Sequence, residues 1–201
     1  MLCSYLPFPD DGGSGVGSQQ QSRPSSPVVL DLDGGGFRFT GLHDPVRFDI
    51  DADGRRELLT WTERDSGDAF LALDRDGNGT IDSGAELFGN FTAQPPAPAP
   101  NGFLALAVHD LADHGGDADG WISAADSVYA DLRLWIDADH DGVSQSAELL
   151  PLPEQGVLGI GLAYVESRRR DRHGNQLTWA SRVRFEHGEP LAAVDVSFLL
   201  R

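Results

Sequence analysis

Apolar and polar positions change period twice along this chain. Residues 28–31, 37–40, 46–49 and 58–62 carry β-branched or aromatic side chains with partial alternation, the pattern of half-buried strands. Further on, Phe103, Leu104, Leu106, Ala107 and Leu111 fall at helical spacing behind Asn101. Ala124, Val128, Leu132 and Trp135 do the same behind Ser123, a residue type that caps helix N-termini. The last third returns to strand patterns at 157–165, 177–185 and 191–200, with His173-Gly174-Asn175 as a hairpin turn. This mixture predicts an α+β fold, with strand-rich N- and C-terminal parts around two or three short helices.

Two low-complexity pieces punctuate the pattern. Residues 1–26 are rich in Gly, Ser, Gln and Pro and read as a flexible leader to one domain over 27–201. Gln94-Pro95-Pro96-Ala97-Pro98-Ala99-Pro100 is too proline-dense for helix or central strand, and reads as an internal linker over 94–100.

Charge narrows the possible partners. Over 201 residues the formal net charge is −17, and all 15 basic residues are arginine. Nucleic acid is excluded as a partner, because phosphate binding depends on clustered basic side chains. No stretch approaches the ~18 apolar residues of a membrane span. The single cysteine, Cys3, allows no internal disulfide.

The acids are concentrated in repeated loops, each an apolar residue followed by Asp-x-Asp and then glycine. Alternating carboxylates repel one another, and hard oxygen donors at loop positions 1, 3 and 5 with glycine at 6 are what a calcium ion requires. The fullest copy is Asp137, Asp139, Asp141 and Gly142, with Val143 offering its carbonyl, Gln145 a direct or water-bridged contact, and Glu148 a bidentate carboxylate at position 12. It matches the EF-hand loop pattern, flanked by expected helices ending at Trp135 and starting at Ala147, and departs from it at Ser144, where an apolar residue usually pairs two loops.

A second copy runs through Asp74, Asp76, Asn78, the Thr80 carbonyl and Asp82, with its closing acid, Glu86, one residue late. A third has Asp117, Asp119, the Trp121 carbonyl and Asp126, but position 1 falls on Gly115, leaving Asp113 or Asp110 to fill it. Asp137 follows Asp126 by only eleven positions, so one helix, from Ser123 to Trp135, is expected to be shared by both ions. Asp49, Asp51, Asp53 and Glu57 form a strand-borne loop. Asp31 and Asp33, followed only by glycine, cannot cage an ion alone; they complete the Asp49–Asp53 site or turn a hairpin.

His109, His114 and His140 lack zinc-site spacing and read as solvent-facing loop residues. Arg168-Arg169-Arg170-Asp171-Arg172 reads as a solvated hairpin end.

From Pro27 to Leu200 the chain resembles the calcium-dependent self-processing module of RTX-type secreted proteins and its stand-alone bacterial relatives. The likeness rests on Pro27-Val-Val-Leu-Asp-Leu-Asp-Gly, Val46-Arg-Phe-Asp-Ile-Asp-Ala-Asp-Gly, Leu71-Ala-Leu-Asp-Arg-Asp-Gly-Asn-Gly-Thr-Ile-Asp, Gly84-Ala-Glu-Leu-Phe-Gly-Asn, Asn101-Gly-Phe-Leu-Ala-Leu, Leu132-Arg-Leu-Trp-Ile-Asp and Ala193-Val-Asp-Val-Ser-Phe, in one order. The resemblance implies Ca2+ as the bound ion and a secreted or cell-surface setting in a bacterium, although no signal peptide is visible in this chain. In self-processing members an Asp-Pro bond ahead of the first segment breaks when the Asp carboxylate attacks its own peptide carbonyl. Here Ser26 precedes Pro27 and cannot form that anhydride, so the resemblance implies loss of cleavage at that bond. The expected function is a non-enzymatic calcium-binding module that folds or stiffens with the ion. The alternative is a calcium-triggered autoprotease acting at the chain's one Asp-Pro bond, Asp44-Pro45.

Overall fold

The structure, a computed structural model, describes residues 26–201; the leader expected over 1–26 lies, apart from Ser26, outside the described residues. The first strand, β1 (Val28–Asp31), runs up the middle of a sheet between two cores, which is why it reads as an unbroken apolar run. Val28 and Leu30 enter one core and Val29 the other, as the two-residue strand period requires. β4 (Asp68–Ala72) pairs antiparallel with β1 and divides in the same way, Ala69 and Leu71 against Phe70 and Ala72.

The remaining elements are β2 (Val46–Phe48), β3 (Glu57–Leu59), α1 (Gly102–Ala107), β5 (Trp121–Ser123), β6 (Arg133–Trp135), β7 (Leu149–Pro151), β8 (Val157–Gly161), β9 (Val165–Arg170), β10 (Gln176–Phe185) and β11 (Leu191–Ser197). Nine strands form one sheet in the order β5-β8-β10-β11-β1-β4-β6-β7, with β9 also on β10, and this sheet curls into a half-barrel. β2 and β3 make a separate hairpin. One core holds Phe88, Phe103, Leu106, Leu152 and Ile160, where α1 packs. The other is aromatic: the Trp61 ring centroid lies 4.3 Å from that of Phe70, tilted, and 5.5 Å from that of Trp135, edge-on, with Phe48 and Phe198 beside them.

The α+β expectation is overturned. Among the described residues there are eleven strands and one α-helix, and only 11% of the structure is helical. The helix behind Asn101 forms, with the Asn101 side chain accepting the Leu104 amide at 3.0 Å, but it stops at Ala107. The shared helix from Ser123 to Trp135 does not exist. Its span is β5, a single 3-10 turn at Ser127–Ala130, and β6. Sheet pairing overrides the local period here: Ile122 pairs with Ile160, while Leu134 lies between Leu71 and Leu150. Short helices carry a costly nucleus and yield to such packing. The helix expected from Ala147 is likewise a turn leading into β7. Residues 37–40 contribute only an isolated bridge, Phe39 to Thr62.

Phe70 touches Trp61, Trp135 and Phe198 from the central strand. Phe70→Ala is expected to cost about 3–5 kcal/mol, read as a lowered urea midpoint; a loss below about 1 kcal/mol would show that this aromatic core does not hold the sheet together.

Candidate metal centre

Three of the four acidic loops close a pair of strands; the third loop, around Asp117 and Asp119, contains β5 itself. Residues 137–148 join β6 to β7, 74–86 run from the end of β4 to a bridge between Leu87 and Ala72, and 49–57 turn the β2–β3 hairpin. The EF-hand expectation is therefore corrected: the twelve-residue spacing is present, but strands flank it instead of helices.

Within the loops one backbone design recurs. Position 4 is left-handed, with φ of 59° at Ala52, 74° at Gly77, 59° at Ala118 and 60° at His140. Position 6 is a left-handed glycine: Gly54, Gly79, Gly120 and Gly142. That winding turns the position-6 amide back onto the first carboxylate, at 2.9 Å for Gly54 to Asp49, Gly79 to Asp74 and Gly142 to Asp137, and 3.1 Å for Gly120 to Asp110. At position 7 the amides of Arg55, Thr80, Trp121 and Val143 donate to Asp53, Asn78, Asp119 and Asp141, at 2.7–2.8 Å.

The closing acid is equally regular. Glu148 accepts the amides of Ala138 (2.8 Å) and Gln145 (3.3 Å), at positions 2 and 9. Glu86 accepts Arg75 (3.1 Å) and Asp82 (2.9 Å), the same two positions, so its late arrival in sequence is absorbed by the loop. Asp126 takes the position-9 amide of Ser123 at 2.7 Å, and Glu57 the position-2 amide of Ile50 at 3.3 Å.

Four carboxylate trios result, each with oxygens within 4.8 Å of one another: Asp49, Asp51 and Asp53; Asp74, Asp76 and Glu86; Asp110, Asp117 and Asp119; and Asp137, Asp139 and Asp141. In the third loop the structure chooses Asp110 over Asp113. Asp110 ends a 3-10 turn and reaches the place that Gly115 leaves blank, passing so close to Gly116 that a methyl group there would collide with its backbone. Asp82 lies at the edge of its loop, where its carboxylate meets the Asn78 amide group at 3.1 Å, and the Gln145 amide group reaches Asp141 at 3.1 Å.

Pairing between loops also differs from expectation. The partner of the 137–148 loop is the 74–86 loop, joined through Ser144: its hydroxyl accepts from the Ile81 amide at 2.6 Å and donates to the Ile81 carbonyl at 3.2 Å. The Gly84 amide in turn bonds to the Asp49 carbonyl at 2.8 Å, bringing in the β2–β3 loop. Asp31 and Asp33 do not complete the Asp49–Asp53 site; Asp31 sits opposite Asp68 across the β1–β4 pair, and Asp33 lies beside Gly67 just beyond it. His140 is buried instead of solvent-facing, with Nδ1 2.9 Å from the Thr62 carbonyl. The arginine-rich strand β9 is exposed as expected, with Arg168 paired to Glu166.

Three features lay beyond sequence reasoning. Trp61 donates its indole N–H to Asp137 at 2.8 Å, tying the best-formed loop to the aromatic core. Asp68 and Asp195 are buried acids, each held up to about 7 chiefly by burial. Burial also raises Asp137, Glu86, Asp126 and Glu57 above the ordinary carboxylate range. A strand-pattern aspartate such as Asp195, between Val194 and Val196, was the one available signal for the second of these.

A mostly-β module whose strand-connecting loops are lined with carboxylates is thus defined. The chain matches the SPM domain family over residues 28–199 and belongs to that family. It is also similar to the iron-regulated protein FrpA of Neisseria meningitidis serogroup C, with 38% identity over 154 residues. That match covers 75% of this chain and 13% of FrpA, so the chain spans a small part of that relative's length.

The buried acids set a pH dependence in chelator. Asp195 keeps its proton up to about 7 in the folded chain, against 3.8 for an ordinary aspartate. Folding therefore takes up protons between those values, and stability falls as pH rises through the window. The melting temperature in EDTA should drop from about pH 4 to above pH 7, and Asp195→Asn should flatten the drop; an unchanged slope in that variant would contradict the assignment.

Proposed function

We propose that the chain is a calcium-binding module, working outside the cytoplasm, whose hairpin loops lock when they take up the ion. One observation carries the reading. Asp51 Oδ1, Asp110 Oδ1, Asp126 Oδ1 and Gln145 Oε1 are enclosed yet have no hydrogen-bond partner among the described residues. Burying such oxygens unpaired is costly, and all four line the acidic loops. The donors are oxygens alone, which suits a hard cation and not zinc or copper. Bound calcium would supply the positive charge that these crowded carboxylates lack. Asp137, Asp139, Asp141, Glu148 and Gln145 would hold one ion, with the Val143 carbonyl. Asp74, Asp76, Asn78, Glu86 and the Thr80 carbonyl would hold a second, with Asp82 at its rim. Asp110, Asp117, Asp119, Asp126 and the Trp121 carbonyl suit a third, and Asp49, Asp51, Asp53 and Glu57 a fourth. The likeness to RTX-type modules supports both the ion and the extracytoplasmic setting. Among the described residues no helix is long and apolar enough to cross a membrane.

A second reading, cleavage at Asp44-Pro45, draws on a contact. His140 Nε2 lies 3.3 Å from the Asp44 carbonyl oxygen and 3.7 Å from its carboxylate. Both ring nitrogens thus face carbonyl oxygens, and with its proton on Nε2 the imidazole donates to the Asp44 carbonyl. Such a donor polarises the Asp44 carbonyl toward attack by its own carboxylate; the Pro45 nitrogen leaves with a proton, and water reopens the anhydride. Mass spectrometry after calcium incubation decides: fragments ending at Asp44 support this reading, and an intact chain removes it.

Calcium at ~100 times its dissociation constant should add roughly 2.7 kcal/mol per filled site, seen as a higher melting temperature than in EDTA, with magnesium doing far less. Glu148→Gln should remove the largest share of that gain. Equal melting in EDTA and millimolar calcium would overturn the reading.

A further inference from the structure

The arginine run at 168–172 is the densest basic stretch in a chain of formal charge −17, and the acidic loops make no use of it. The fold divides it. Arg168 pairs with Glu166 at 3.2 Å, two residues away on β9. Successive side chains of a strand point to opposite faces, so Arg169 turns the other way, and it stands across from Leu177 of β10 in the sheet. There it lines a cleft of about 390 Å³ together with Arg170, Arg172 and Arg38, beside the apolar side chains of Phe37 and Leu177. Arg168 is not part of that wall.

Most charges in the cleft are already met. Asp31 accepts the Gly34 and Gly36 amides at 2.8 and 3.0 Å, and Asp171 those of His173 and Asn175 at 2.8 and 2.9 Å. Arg170 donates to the Gly174 carbonyl and the Gln176 side chain, both at 3.2 Å. Arg172 pairs with Glu63, and Arg38 with Asp33 at 2.8 Å. These two pairs are solvent-accessible and therefore weak, so their guanidiniums can turn to a better partner. Arg169 is the exception: among the described residues its guanidinium has neither a hydrogen bond nor an ion pair. The backbone is open here as well. β9 bonds to β10 along one side, and among the described residues no strand pairs with its other side. An unpaired strand edge is a template for another extended chain.

We propose that this cleft docks an extended acidic segment of a partner protein, which lies along β9 with a carboxylate on Arg169 and an apolar neighbour against Phe37 and Leu177. Charge complementarity selects the occupant. A guanidinium recognises a carboxylate through a planar fork of N–H donors and is weakly hydrated, so it can do so beside apolar side chains. Elsewhere the chain's excess of acids repels such a segment, which leaves it this one place to land. The open edge of β9 favours a peptide over a free carboxylate, because only a peptide can also pair with the strand. The site is made by residues outside the four acidic loops and stands independently of the calcium reading.

Fluorescence anisotropy of a labelled peptide of alternating Glu and Val, titrated with the full chain in millimolar calcium, tests the site. Salt at about 0.1 M screens charges beyond ~10 Å and leaves direct contacts in place. The parent should bind this peptide saturably and ignore its Gln-Val counterpart. Arg169→Glu should weaken binding about tenfold, the worth of one charge-assisted bond. Arg168→Glu makes the same charge change one residue away, outside the cleft, and should leave affinity nearly unchanged. Both residues are exposed, so neither change disturbs packing. Equal losses from the two variants, equal binding of the two peptides, or no binding by the parent would each overturn the proposal. Displacement of the peptide by an equal concentration of free glutamate would overturn it too, by showing a small-carboxylate site instead.

Discussion

The structure depends on one interaction: the first carboxylate of each acidic loop folded back onto the amide of a left-handed glycine five residues later. It appears at Asp49, Asp74 and Asp137, and Asp110 reproduces it from outside its own loop. An amide held by a carboxylate is a charge-assisted bond, stronger than a neutral one. It fixes the winding that aims the next two carboxylates inward. The same bonds that shape the loop therefore concentrate negative charge within a few ångströms, and self-repulsion at a formal −17 opposes the compact state.

That local constraint reaches the core because the loops end the strands they join. Asp137 accepts the Trp61 indole and Glu148 lies 3.4 Å from the Trp135 indole, so both ends of one loop are tied to adjacent rings of the aromatic core. Ser144 links this loop to Ile81, and Gly84 links that loop to Asp49. Three of the four trios thus form one continuous hydrogen-bonded band at the ends of β2, β4 and β6. On the proposed reading, a cation filling one site would order the backbone on which the next is built, a coupling that needs no further moving part.

How much of this was legible in sequence follows from the range of each interaction. Asp-x-Asp-x-Asp/Asn-Gly is a local signal, and the loops could be delimited in sequence because their carboxylate–amide contacts span at most eleven positions. Glu86 could be placed despite its offset, because it remains within the same turn. Asp110 was one of two choices, since nothing local distinguishes it from Asp113. The strands at 28–31, 177–185 and 191–200 were readable because pairing leaves a clear apolar pattern on them. The span from Ser123 to Trp135 was misread for the opposite reason. Its apolar spacing fits a helix, but the decisive partners, Leu71, Leu150 and Ile160, are far away in sequence. Trp61 and Asp68 escaped notice likewise, because each bonds to a residue far from it in sequence.

The central claim is that the four glycine amides stand over cation sites. An NMR titration of the full chain reads them directly, because each of Gly54, Gly79, Gly120 and Gly142 donates to the first carboxylate of its site. Calcium binding polarises that carboxylate and pulls on its amide partner. The account predicts that all four amide resonances move in response to calcium and stay nearly fixed in magnesium. Four glycine amides that keep their positions through a titration to millimolar calcium would contradict it.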